Sequence, residues 1–370
     1  METHEFDVVV IGAGIVGATV GAQLADGRRV ALVEAEEVAG YHTTSRSAAV
    51  WLQNYGPADA QALTRASRDF FMAPPAGFSE ARLMSPRGAM YLASAEQEPA
   101  LRAMLADSVG LREIAVPDVA RMVPALRPGF VVAAVIEDDA ADLDVAALHQ
   151  GFLALLRRRG GVLALRSRAG RITRAAGSWE VEVTGGDVFR APVVVNAAGA
   201  WGDEVARLAG AAPLGLTPMR RTACIIDPGP WTVKDWPMMH DMGDDWYCRP
   251  EARTKMLVSP ADETPTTPHD VQPEEIDVAI GIDNMQRALD IKVTRVERSW
   301  AGLRTFTPDR GLAIGFDPRA DGFFWCVGQG GYGIQTAPAA GKLVADLVAG
   351  RDPGALSSIL GKVDPARFSA

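Results

Sequence analysis

The chain has 370 residues, room for two domains or one large interleaved unit, and its 48% hydrophobic and 22% charged content is that of an ordinary globular enzyme. A formal net charge of −9 argues against a protein that grips a nucleic-acid backbone, but not against one that binds a small ligand. Cys224, Cys248 and Cys326 form no CxxC pair and no Cys/His cluster of zinc spacing. No metal site is therefore expected, and the thiols read as reduced cysteines of a cytoplasmic protein. METHEF is acidic and leads straight into a strand, unlike a secretory leader. No apolar run approaches the roughly 18–20 residues that span a bilayer, so no transmembrane segment is expected.

The first element, FDVVVI, is a continuous apolar run of the kind buried on both faces of a parallel sheet. Gly12, Gly14 and Gly17 follow as GxGxxG, then Val16, Val20 and Leu24 at helical spacing, then a second apolar strand, RRVALVEA. This is a βαβ unit. The first glycine permits the tight turn, the second lets backbone approach a pyrophosphate, and the third lets helix and strand pack closely. Ala13, Ile15 and Val16 sit in the same loop and helix start, whose free N–H groups and dipole favour an anion. Glu34, followed by Ala35, ends the second strand where an acid accepts hydrogen bonds from an adenosine ribose and repels a 2′-phosphate. NADP is thus disfavoured, and NAD and FAD both remain at this point.

A polar, Gly-bounded stretch, GYHTTSRSAAVWLQNYG, comes next, and a helix after Pro57 stops at Pro74-Pro75. Residues 80–140 mix short strands with an amphipathic piece near 96–107. DVAALHQGFLALLRRRGG reads as a helix capped by Asp144 and ended by Gly160-Gly161. RITRAAGSWEVEV reads as a hairpin and APVVVNAAGAW as another buried strand. From 214 to 300 short alternating strands dominate, with one helix near 273–289. The end is strand, glycine loop, helix. The fold class is α/β: a Rossmann-like FAD-type domain with an inserted, mainly antiparallel α+β substrate domain. The expected segments are 1–80, 140–212 and 300–370 for the first, and 81–139 and 213–299 for the second.

The GxGxxG unit, GYHTTSRSAAVW, VVVNAAGAW, WAGLRTFTPDRGLAIG and GQGGYGIQT stand in the order seen in the D-amino-acid oxidase (DAO) superfamily of FAD-dependent oxidoreductases. Over nearly its whole length the chain resembles the D-amino-acid dehydrogenases of that superfamily, the arginine-acting ones in particular. The resemblance selects FAD over NAD. It implies cofactor contacts from Thr43, Thr44, Arg46, Ser47, Ala48 and Ala49, and from Ala169, Ala197, Ala198, Gly199 and Trp201. It implies further contacts from Gly302 and Arg304 and from the last loop, Gly328, Gly330, Gly331, Tyr332, Gly333, Ile334, Gln335 and Thr336. His42 matches a histidine of members that hold FAD without a covalent bond, so noncovalent FAD is expected.

For the substrate, the resemblance assigns Arg221 and Arg304 to the carboxylate, a task suited to the planar guanidinium fork. Arg220, next to Arg221 on a strand, is expected to face the other way. Tyr55 and Tyr247 match tyrosines over the pocket and in its wall, and the Gly331 carbonyl would accept from the substrate amine. The implied reaction is hydride transfer from Cα to flavin N5, giving an imino acid that hydrolyses to a 2-oxo acid and ammonia. No Asp, Glu or His stands out as a general base, so placement and desolvation carry the reaction.

Where the arginine-type pattern has a glutamate for the substrate guanidinium, this chain has Ala89, and Val50 and Leu52 replace a histidine and a threonine. An unpaired cationic head in such a site costs roughly 3–5 kcal/mol. Neutral or apolar D-amino acids are therefore expected over cationic ones. Asp241, Asp244 and Asp245 could supply a substitute carboxylate, and a solvated acidic loop is the alternative. Two other functions remain open: a DAO-type enzyme for an N-methyl or cyclic amino acid, glycine or a 2-hydroxy acid, and a flavin-binding subunit of a larger complex. The electron acceptor (O₂, a quinone or an electron-transfer protein) and the oligomeric state are not read from any motif.

Overall fold

In the computed structural model, residues 2–368 are described. The all-apolar runs form a six-stranded sheet in the order Val162–Ala164, Val30–Val33, Val8–Ile11, Val193–Asn196, Phe323–Val327, Ala313–Phe316. The first five strands are parallel and the last is antiparallel. Burial on both faces explains why these strands do not alternate. Val8, Val10 and Leu32 pack into one core with helices Ile15–Leu24, Val145–Arg158 and Gly333–Val348. Val9, Ile11, Ala31 and Val33 share the opposite core with Trp179, Val181 and Phe189. Those three belong to a four-stranded sheet, Thr3–Glu5, Val188–Ala191, Ser178–Val183 and Ala169–Ala175. Asp144 caps its helix as its sequence position suggests: its carboxylate accepts from Ala147 N at 2.8 Å.

A nine-stranded sheet holds Ala89–Ala93, Leu111–Ile114 and Ala133–Glu137 together with the strands between 217 and 306. It is antiparallel except where Met238–Asp241 runs parallel to Ala89–Ala93. Two of its strands depart from the short alternating pattern read from the sequence. Thr217–Ile226 and Val296–Phe306 are 10 and 11 residues long and pair along their length. Both faces of the first are covered, one by helix Glu275–Ala288, so it shows no polar-apolar alternation. The second continues past the boundary placed at 300. A small sheet of Val50–Trp51, Ala141–Leu143 and Met84–Pro86 stitches the polar stretch after the second parallel strand to the remainder. The helix Val116–Met122 was not legible in the sequence. Among the described residues no helix is long and apolar enough to cross a membrane.

The glycines of the first loop set the approach of helix to strand. A Cβ on Gly17 would lie 1.7 Å from the Gly12 carbonyl oxygen, a backbone atom that cannot turn aside. A Cβ on Gly21, one turn on, would meet nothing nearer than Leu156 Cδ1 at 3.6 Å. Gly17→Ala is therefore expected to destabilise the fold by about 1–3 kcal/mol or more. Gly21→Ala should be neutral or stabilising, because alanine is the better helix former by about 1 kcal/mol. Thermal melts of the two variants check this; equal melting temperatures would contradict it.

Candidate active site

A cavity of about 240 Å³ is bounded by the glycine loop, the starts of helices Ile15–Leu24 and Gly333–Val348, and the inner face of the long strand pair. Gly12 takes φ +100°, and a Cβ there would lie 2.6 Å from Ala197 O. Thr44 Oγ1 accepts from Ile15 N at 2.9 Å and so fixes the polar stretch against the helix start. Glu34 accepts from Ala13 N at 2.7 Å and from Glu36 N at 3.0 Å, which orients its carboxylate at the cavity wall. Neither helix has an acidic residue in its first turn, so both present an uncompensated positive dipole end.

Of the residues expected from the sequence, Gly12, Gly14, Ile15, Val16, Glu34, Ala35, Thr43, Thr44, Arg46, Ser47 and Ala48 line this cavity. So do Ala169, Ala197, Ala198, Gly199, Trp201, Gly302, Arg304, Gly330, Gly331, Gly333 and Ile334. Ala49, Val50, Leu52, Tyr55 and Gln335 line a smaller chamber of about 50 Å³, whose wall includes Arg221, Tyr247, Arg304 and Gly331 in common with the larger one. Six expected residues line neither. Ala13 faces inward through its hydrogen bonds to Glu34 and His149. Gly17 is consumed by packing, and Gly328 turns at φ +77° behind Thr307. The Tyr332 ring packs edge-on to Tyr55 while its hydroxyl donates to Arg310 O at 2.5 Å, so it supports the wall from behind. Thr336 is buried in its helix and donates to Tyr332 O. Ala89 is 1% exposed, on the strand next to Met238 and one strand beyond the chamber.

Sequence reasoning missed His240 and Met238 in the smaller chamber, and Arg168, Leu303 and Gln329 in the larger. It noted His42 only for its bonding to flavin. His42 Nε2 lies 3.1 Å from Glu36 Oε1 and its ring 4.6 Å from Trp201, while its Nδ1 is buried without a protein partner among the described residues. No spacing signal marks His240, because its place depends on strand pairing.

The two arginines meet through register. Arg221 pairs with Gly302 and Met219 with Arg304, so both guanidinium-bearing residues lie on one face, diagonally about 7–8 Å apart at the backbone. Arg220 takes the other face, where it pairs with Glu274 and Asp277. Arg221 is 8% exposed and its Nη2 donates to Glu263 Oε1 at 3.1 Å, while its Nε is buried without a partner. Arg304 Nη1 donates to Tyr55 Oη at 2.7 Å, and among the described residues no carboxylate comes within ion-pair distance of Arg304. A Cβ on Gly331 would lie 2.8 Å from both Arg304 Nη1 and Tyr55 Oη, so only glycine leaves this junction open. The loop carrying Tyr55 is held by Glu137, which accepts from Gln53 N at 2.7 Å and Asn54 Nδ2 at 3.0 Å. Burial raises the Glu137 carboxyl above its ordinary range, and these two donors only partly offset it. Among the described residues, no group of three or more His, Cys, Asp or Glu is placed to hold a metal ion.

The family model for DAO, FAD dependent oxidoreductase, matches residues 7–347, and the chain belongs to that family. It is 27% identical to a glycine oxidase of Pseudomonas aeruginosa, over 98% of this chain and 98% of that protein. It is 28% identical to the FAD-dependent oxidoreductase domain-containing protein 1 of Xenopus laevis, a match that spans 34% of that protein and 42% of this chain. Among solved structures, L-proline dehydrogenase from P. horikoshii superposes with a TM-score of 0.83 at 20% identity, covering 99% of this chain and 98% of that one. Glycine oxidase from Geobacillus kaustophilus superposes with a TM-score of 0.83 at 21% identity, covering 94% and 96%. Relatives matched over nearly their full length are thus glycine oxidases, and they do not carry the narrower likeness to D-amino-acid dehydrogenases.

The chain is an FAD-dependent oxidoreductase of the DAO family, and its larger cavity suits that cofactor. Its wall offers helix starts for a pyrophosphate, glycine backbone where a Cβ would collide, and the unpartnered His42 Nδ1. Glu34→Ala should release the Ala13 and Glu36 amides and weaken FAD retention by about tenfold or more. Fluorescence of free flavin after dilution measures it, and undiminished retention would exclude Glu34 from holding the loop.

Proposed function

We propose that this enzyme oxidises the Cα–N bond of a small amino acid, foremost a D-amino acid with an uncharged side chain, to the imino acid. Water then converts that product to a 2-oxo acid and ammonia. The observation that carries the reading is the Arg304 guanidinium, enclosed, tied to Tyr55 and without a carboxylate partner of its own. A cation so placed is costly to leave unpaired, and a substrate carboxylate is the group whose two oxygens match its fork. Arg221 offers its unpartnered Nε from the same sheet face. Tyr55 and Tyr247 close the chamber on either side and exclude water, and the Gly331 carbonyl is the acceptor for the amine. FAD supplies the hydride acceptor. His240 lies in the chamber wall with its Nδ1 2.9 Å from the Asp241 carbonyl oxygen and its Nε2 3.2 Å from Asp244 Oδ1.

FAD is held noncovalently in this reading: no cysteine lines the cavity, and His42 Nε2 is engaged by Glu36. Acid precipitation should leave the yellow colour in solution. The D configuration rests on the order of the sequence motifs. A second reading, oxidation of glycine or an N-substituted glycine, is favoured by the smallness of the chamber, about 50 Å³. The full-length relative named a glycine oxidase points the same way.

Anaerobic flavin bleaching by D-alanine, glycine, sarcosine, D-arginine and the L-enantiomers tests both. Bleaching by D-alanine and not L-alanine supports the first reading, and bleaching by glycine or sarcosine alone the second. No bleaching by any amine would end both. Arg304→Ala should lower kcat/KM by about a hundredfold or more while flavin content is kept. Gly331→Ala should raise KM by displacing the Arg304–Tyr55 pair.

A further inference from the structure

Arg221 and Arg304 share the chamber wall, but they are not equivalent. Among the described residues Arg304 has no carboxylate within ion-pair distance, whereas Arg221 has Glu263. Strand register brings that carboxylate in. Met219 pairs with Pro265 and Arg220 with Thr264, so continuing the antiparallel ladder by one residue sets Glu263 opposite Arg221. Directly opposed residues point to the same face, so Glu263 goes with Arg221 and not with Arg220. One residue earlier, Asp262 accepts from Thr222 N at 2.6 Å and from Thr222 Oγ1 at 3.0 Å, which pins the segment to the strand of Arg221.

Glu263 is held from both sides. Its Oε1 accepts from Arg221 Nη2 at 3.1 Å and from Arg310 Nη2 at 3.0 Å, and its Oε2 accepts from the same Arg310 nitrogen at 2.8 Å. A carboxylate whose two oxygens both accept from guanidinium groups keeps its charge. The Arg310 guanidinium lies over the Phe306 ring at 3.8 Å, and the Arg310 carbonyl accepts from Tyr332 Oη at 2.5 Å. The Arg310 side chain is half exposed and that of Arg221 is buried, so the outer cation is hydrated and the inner one depends on Glu263. The other acids near the chamber are engaged elsewhere. Asp244 faces His240 with its side chain 60% exposed, Asp241 is turned to Gln97 and the Gly243 amide, and Glu137 serves the Tyr55 loop. Glu263 itself lines neither cavity.

We infer that Glu263 sets the charge specificity of the chamber: by neutralising Arg221 it leaves Arg304 as the one unmatched arginine, so the site accepts an amino acid with a single carboxylate and rejects one that carries a second. Glu263 is a positioning residue that acts through Arg221. It holds that guanidinium by Nη2 and leaves the unpartnered Nε to the substrate. The inference rests on the proposed reading that the substrate carboxylate binds at Arg304. A dicarboxylic amino acid is refused because its second carboxylate would compete with Glu263 for Arg221, on the same sheet face.

The test uses the FAD-loaded enzyme and unreactive carboxylates, so it needs no turnover. Propanoate and malonate, which differ by a methyl group against a second carboxylate, are titrated against the flavin absorption spectrum at a pH where malonate carries both charges. The unaltered enzyme should bind propanoate about tenfold or more tightly. Glu263→Gln keeps the shape, removes the charge and frees Arg221, and should bring the two ligands within about twofold or reverse their order. Glu263→Asp keeps the charge and should leave propanoate the tighter ligand by about fivefold or more. Arg310→Gln removes the outer partner of Glu263 and should widen the preference; it decides the matter if Glu263→Gln does not fold. A merely structural role for Glu263 would weaken both ligands alike and leave their ratio unmoved, and that result overturns the inference. Malonate binding the unaltered enzyme as tightly as propanoate overturns it as well. If the ratio moves but no amine bleaches the flavin, the proposed reaction falls and Glu263 keeps its role. If amines bleach the flavin and the ratio stays fixed, only the role of Glu263 falls.

Discussion

Thr217–Ile226 and Val296–Phe306 meet with Arg221 opposite Gly302 and Met219 opposite Arg304, and the meeting of the two arginines in one chamber depends on that register. Side chains alternate along a strand, so a slip of one residue in either partner would send one arginine to the wrong face. Arg220 shows the consequence: one position away, it points at Glu274 and Asp277 and is neutralised there. The same register sets Gly302 beside Arg46, where a Cβ would come within 3.3 Å of Arg46 Cβ. The pairing therefore fixes the arginine end of the chamber and the adjoining wall of the larger cavity together.

The chain is acidic overall, yet its smaller chamber is walled by Arg221 and Arg304 and, among the described residues, by no aspartate or glutamate. The fold achieves this by sorting its arginines. Arg46, in the cavity wall, pairs with Asp270, and away from the cavity Arg220 pairs with Glu274 and Asp277 and Arg87 with Asp142. Arg304 has no such partner among the described residues, and the two helix starts carry no acidic side chain. Buried positive potential without a protein counter-charge is a standing cost to the folded state, offset when an anionic ligand binds. Net charge is thus a poor guide to this site, and the local ledger of partners is the useful one.

Local motifs made the nucleotide half legible. Gly12, Gly14, Gly17, Glu34 and the Asp144 cap act through neighbours a few residues or one βαβ unit away, so spacing alone carries them. The alternation argument for Arg220 and Arg221 was legible for the same reason. The depth of the chamber at Ala89 was not legible, because it is set by the parallel pairing of Met238–Asp241 with Ala89–Ala93, across about 150 residues of chain. His240 was illegible on the same grounds. In the last glycine loop, Gly330, Gly331 and Gly333 face the cavity, while the side chains of Tyr332 and Thr336 pack behind it, a difference of side-chain direction that spacing does not show. Thr217–Ile226 was not legible as one long strand because a strand covered on both faces has no alternation to read.

The two ends of the site differ in what a substitution would disturb. At the arginine end the determinants are backbone ones: a register, a positive φ at Gly330 and a Cβ-free Gly331. Changing them strains or unpairs the fold. At the far end the determinants are the side chains of Val50, Leu52, Met238 and His240, borne on strands and a short loop whose backbone pairing does not depend on their identity. A change there alters the size and charge of the chamber at little cost to folding, provided its volume stays filled. The fold and the cofactor can therefore persist at low sequence identity while side-chain selectivity moves freely. Fold similarity extends to the scaffold of the site, and its side-chain end has to be read from the few residues that end the chamber.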